Sequence, residues 1–193
     1  MASTEIEFEL PALQHEHMGY PGLKQGEPLT IILDAGVLLP DAAADNWFTV
    51  QKEPLPARFI QVAPATYAFT GQIQEADILK DENGESASVL VLCGDIPLRV
   101  TCAPQADGRL PYGTWETRYL TGYAHLQGIV EEEFNTAIGK PIGVTIWRFR
   151  RLVLTPGDAV FGEWRTTEEL PSAPYLYDRV LVTAHIHNLR IQY

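Results

Sequence analysis

Four of the five histidines fall in two His-x-His pairs, His15-Glu16-His17 and His185-Ile186-His187. On a β-strand residues i and i+2 point the same way, so each pair can offer two imidazoles to one metal ion. With His125 or Glu16 added, three or four ligands are within reach, and a metal-dependent enzyme built on these pairs is one reading. The other reading is plainer. His15-Glu16-His17 sits in a loop before Gly19-Tyr20-Pro21-Gly22, while His185 and His187 share a half-polar strand face with Arg179, Leu181 and Thr183. That spacing is what unrelated surface histidines also show, and neither a metal nor a cofactor is expected.

Nucleophilic chemistry has weaker support. The only serines are Ser3, Ser86, Ser88 and Ser172, none in a Gly-x-Ser-x-Gly elbow. Cys93 falls in the most apolar run, where a thiolate is disfavoured, and neither it nor Cys102 has zinc-site spacing. Gly139-Lys140-Pro141-Ile142-Gly143 lacks the spacing of a phosphate loop, and Glu131-Glu132-Glu133 reads as a solvated run of acids. No catalytic residue is expected, and the chain leans away from an enzyme.

The pattern that remains is one for binding. Arg148, Arg150 and Arg151 crowd into four positions, interleaved with Trp147 and Phe149, and Arg165 and Arg179 follow. Arginine and aromatic residues dominate interface energetics, and arginine suits paired contacts with carboxylates. A second stripe, Trp115, Thr117, Tyr119, Thr121, Tyr123 and His125, alternates with Leu120, Gly122, Ala124 and Leu126. The small and apolar face of that segment reads as interior; the aromatic face either packs beneath other chain or meets a partner. Trp147 and Phe149 read as core, and a β-bulge near Arg150-Arg151 would return Leu152 and Leu154 to the inside. The candidate binding residues are therefore Arg148, Arg150, Arg151, Arg179, Trp147, Trp115, Tyr119 and Tyr123. The arginines are expected to form a positive patch for an acidic protein surface, with charge reversal at Arg148 and Arg150 leaving the fold intact.

These residues need strands to position them, and the sequence supplies strands almost throughout. Period-2 alternation recurs, and no window holds a helical period. Strands are expected at 4–10, 28–33, 58–63, 66–79, 87–94, 96–102, 114–130, 143–154, 159–164 and 178–192. Asp81-Glu82-Asn83-Gly84 and Pro156-Gly157-Asp158 are turn signals. Short helical pieces are expected at 40–46 and 129–137. The layout from residue 66 onward resembles a small Greek-key or OB-like barrel, or a sandwich, with a helix at one end. Residues 66–192 are expected to close on Leu90, Leu92, Leu98, Val100, Leu126, Ile146, Val180 and Val182. The Pro-rich stretch 51–57 reads as the joint between an N-terminal extension, 1–57, and a barrel-like body, 58–193.

Composition limits the function classes. The 193 residues carry 14 Lys+Arg against 25 Asp+Glu, a net charge of −11, so long-range attraction to nucleic acid is disfavoured. Charge is uneven: residues 136–193 hold 7 basic and 5 acidic groups, for +2. A single-stranded nucleic-acid binder, with bases on rings and arginines on phosphates, stays an alternative. With 46% apolar residues the chain is globular rather than disordered, and no run approaches a membrane span. A start without a basic region or apolar stretch, and two thiols without a disulfide framework, point to the cytoplasm. The expectation is a non-enzymatic, acidic, all-β binding or assembly module in a larger cytoplasmic complex, with another protein as partner and no membrane contact.

Overall fold

The computed structural model describes residues 4–11, 22–38, 47–82, 84–103, 118–130, 138–170 and 178–187. Among them the protein is all-β, with twelve strands and no helix: β1 (Thr4–Glu9), β2 (Pro28–Leu38), β3 (Trp47–Gln51), β4 (Arg58–Ala63), β5 (Thr66–Asp81), β6 (Gly84–Cys93), β7 (Ile96–Cys102), β8 (Tyr119–His125), β9 (Gln127–Val130), β10 (Ile142–Leu152), β11 (Trp164–Thr167) and β12 (Arg179–Ile186). The helical piece expected at 40–46 lies outside the described residues, as do residues 131–137 of the one expected at 129–137, whose first two residues, Ile129 and Val130, end a strand instead.

The chain divides into two compact units. The first comprises 1–32, 127–133 and 141–193; the second comprises 33–126 and 134–140.

In the first unit five strands close on themselves. β12 pairs β1 on one side and β10 on the other, β1 meets β9, β9 neighbours β2, and β2 returns to β10. This is a small OB-like barrel. Alternation turns Ile6 and Phe8 of β1, Leu29 and Ile31 of β2, and Val180, Val182 and Ala184 of β12 into its interior, all buried. The barrel does not close over 66–192 as expected. Its wall is made by residues from both ends of the chain, because Ile6 aligns with Ala184 and Ile142 with Ile31. Such long-range pairings leave no local trace in the alternation of either strand. At Gly128 a β-carbon would come within 2.3 Å of the Phe8 ring, so only glycine lets β9 approach β1.

The bulge in β10 is real but sits earlier than expected. Ile146 aligns with Ala184 and Arg148 with Thr183, leaving Trp147 as the extra residue. Before it Ile142, Val144 and Ile146 point inward; after it the inward parity passes to Phe149 and Val153. Phe149 is core as expected. Trp147 is not, being 49% exposed, because the extra residue turns it out of the wall.

The second unit is a sheet in which β7, β6, β5, β8 and β3 follow one another, antiparallel throughout. The latter half of β2 runs parallel to β7, and β4 pairs with β5. Its buried face carries Val89, Val91, Leu98, Val100, Phe69 and Leu120. Leu90 and Leu92, expected in the core, are half-buried, because the alternation of β6 gives the inner face to Ala87, Val89, Val91 and Cys93. The expected hairpin is present, with Asp81 aligned on Gly84. The expected strand 114–130 breaks at Leu126, whose amide donates to the Ala65 carbonyl at 2.7 Å, before β9 joins the barrel. Strand β3 escaped expectation, and the 159–164 segment is mostly turn, with β11 starting at Trp164.

Candidate functional site

Three strands of the barrel wall supply a charged outer face. On β12 the outward positions are Arg179, Leu181, Thr183 and His185. On β1 they are Glu5, Glu7 and Glu9, aligned with His185, Thr183 and Leu181. On β10 they are Thr145, Arg148, Arg150 and Leu152, aligned with His185, Thr183, Leu181 and Arg179. Across the intervening β12, Glu7 and Glu9 of β1 therefore fall in register with Arg148 and Arg150 of β10.

Arg150 forks onto Glu7: its Nε donates to Oε2 at 3.2 Å, and its Nη2 donates to Oε1 at 3.0 Å and Oε2 at 2.8 Å. Glu7 is almost fully covered, at 5% exposure against 28% for Arg150, and Thr183 Oγ1 also donates to it at 3.4 Å. Arg179 grips Glu9 in the same way, with Nε donating to Oε1 at 3.0 Å and Nη2 to Oε2 at 2.8 Å. That hydrogen bond raises the arginine's pKa above its ordinary value, opposed in part by burial and aided by the Glu9 charge. Arg151 Nε lies 2.8 Å from Asp178 Oδ2, but its N–H is not aimed along that line, so the contact is an ion pair rather than a hydrogen bond. Asp178 Oδ1 instead accepts from the amides of Leu154 at 2.7 Å and Thr155 at 3.1 Å.

Arg148 differs. It is exposed, and among the described residues its guanidinium meets only the Thr183 hydroxyl, Nε donating at 3.3 Å. Beside it the Trp147 indole contacts the His185 ring edge-on, with centroids 5.5 Å apart. On β11, Trp164 aligns with Leu152 and Thr166 with Arg150. Trp164 is 42% exposed, and the Arg150 guanidinium lies 5.3 Å from its ring centroid, a cation–π contact. Both indoles are thus held by neighbours while presenting area to solvent.

The structure brings Trp147, Arg148, Arg150, Arg151 and Arg179 together in the first unit. Tyr119 and Tyr123 belong to the second unit, half-buried on β8 in register with Gln51 and Trp47 of β3. Trp115, His15 and His17 lie outside the described residues. His187 hydrogen-bonds through Nε2 to the Thr145 hydroxyl, and His185 is engaged by Trp147. No group of three or more His, Cys, Asp or Glu side chains gathers as a metal site among the described residues.

Sequence reasoning missed Trp164 and the three glutamates. Glu5-Ile6-Glu7-Phe8-Glu9 is a clean alternation, so the acidic face of β1 was readable; its arginine partners, more than 140 residues away for Glu7, were not. Trp164 carried no signal, since its place depends on the β10–β11 register. Among the described residues no helix is long and apolar enough to cross a membrane. No protein family, curated protein or solved structure matches this chain.

Proposed function

We propose that the protein is a non-enzymatic binding module that docks another protein on the outer face of its barrel, centred on Trp147, Arg148 and Trp164. The observation that carries this reading is a pair of exposed, neighbour-held indoles on the same wall as an arginine that meets no carboxylate among the described residues. Trp and Arg are the side chains that most often dominate binding energy, and rings already held in place lose little freedom on binding. Glu7, Glu9 and Asp178 match the charges of Arg150, Arg179 and Arg151. This local neutrality argues against a phosphate track, which needs several unmatched cations. It also shifts the weight of the proposed contact from a broad positive patch to the indoles and to Arg148, which meets no carboxylate among the described residues.

The test is quantitative capture from native lysate on the immobilised full chain. A discrete partner retained by wild type and by Ile60→Thr, a change on β4 of the second unit, and lost from Trp147→Ala/Trp164→Ala supports the reading. The same proteins on all three, or a nuclease-sensitive and salt-labile ligand, overturns it.

A further inference from the structure

We propose that the occupant of this face is an extended, acidic, proline-containing segment of a partner protein, its carboxylate on Arg148 and its proline against Trp164. This rests on the reading of the barrel face as a protein-docking surface, and names the chemistry that would fit it.

Charge complementarity gives the first half of the motif. Arg150 and Arg179 already hold carboxylates of this chain in forked contacts, which shows what the wall's arginines accept. Arg148 stands on the same outward row and, among the described residues, meets only a hydroxyl, so its terminal nitrogens suit an incoming carboxylate. A neutral segment would leave that guanidinium without a counter-charge under cover, a costly outcome.

Register gives the second half. Trp164 is aligned with Leu152, four residues along β10 from Arg148 and one strand across. At a rise of about 3.3 Å per residue and a strand spacing of about 4.8 Å, the two backbone positions stand roughly 14 Å apart. An extended polyproline-II segment rises about 3.1 Å per residue, so four to five residues bridge that span. Arg150 engages the Trp164 ring and leaves part of it open, and an exposed indole is the surface on which proline rings pack in polyproline recognition. The expected motif is therefore one Asp or Glu with a proline about four residues away.

A displayed library of random dodecapeptides, selected on the immobilised full chain, tests this. The expected result is enrichment of peptides with an acidic residue and a proline about four positions apart. Binding of a synthesised selected peptide should fall about tenfold or more in Arg148→Ala and in Trp164→Ala, fall less in Arg148→Lys, and hold in Ile60→Thr. Failure of any motif to enrich overturns the proposal, as does a motif without a carboxylate or binding that survives Arg148→Ala. If selection fails while a native partner is still lost from the double tryptophan variant, the docking reading stands and the acidic-proline motif falls.

Discussion

Arg150 and Arg148 are two residues apart in sequence and differ sharply in role. Arg150 neutralises a carboxylate that the barrel wall covers, so its loss strands Glu7 in a site with little water. Breaking a covered pair from one side is costly, and with Arg150 itself partly solvated Arg150→Ala should cost about 2–4 kcal/mol. Arg148→Ala should stay within about 0.5 kcal/mol, as an exposed position with one neutral hydrogen bond. Urea denaturation of both variants measures the contrast; equal midpoints would refute it. Charge reversal at Arg148 is therefore still expected to leave the fold intact, whereas at Arg150 it would break the covered ion pair with Glu7, and the expectation is revised there. Sequence showed that arginines cluster here. It could not show which are spoken for, because Glu7 and Glu9 reach them through strand pairing between opposite ends of the chain.

Among the strands, β6 and β7 make the clearest prediction. Cys93 and Cys102 end their strands on the buried face, and burial pushes each thiol pKa from 9.0 up to about 12. Both thiols should resist a disulfide reagent at pH 8 in the native protein and react fully in denaturant. In linkage, a folded pKa raised above the unfolded one leaves stability whole below about pH 9. Stability then declines toward about pH 12, because only the unfolded chain releases its protons in that window. A flat stability profile from pH 8 to 11 would contradict the burial. Glycine gives a second prediction. At Gly71 a β-carbon would stand 2.5 Å from the Leu92 carbonyl oxygen, a backbone atom that cannot step aside. Gly71→Ala should therefore destabilise the β5–β6 pairing by about 1–3 kcal/mol, read from the thermal midpoint. The turn at Pro156-Gly157 was legible because its chemistry is local: Gly157 has φ +83°, and the Asp158 amide donates to the Thr155 carbonyl at 3.2 Å. The bulge was legible only as a break in alternation. Its placement at Trp147 is decided by β12, whose Ala184 and Thr183 fix which residue has no opposite number.

At the level of the molecule, parity failed in β10, where the bulge at Trp147 switches the inward set from Ile146 to Phe149, but the all-β class followed from alternation and the buried positions of β12 from parity. Closure did not. A barrel whose wall joins residues 4–9 to 181–186 is invisible to any window along the chain, and so is the neutral face those pairings create. Val182→Ala, at the centre of that wall and fully buried, should cost about 2 kcal/mol through lost transfer energy and a small cavity. The central claim is that a partner sits on the outside of this wall, and site-directed photo-crosslinking tests it most directly. Benzoylphenylalanine in place of Trp147, irradiated in native lysate, should yield one discrete heavier species that excess unlabelled protein competes away, while the same probe at the exposed Gln74 of β5 yields none. No adduct at position 147, or the same adducts at both positions, would contradict the account.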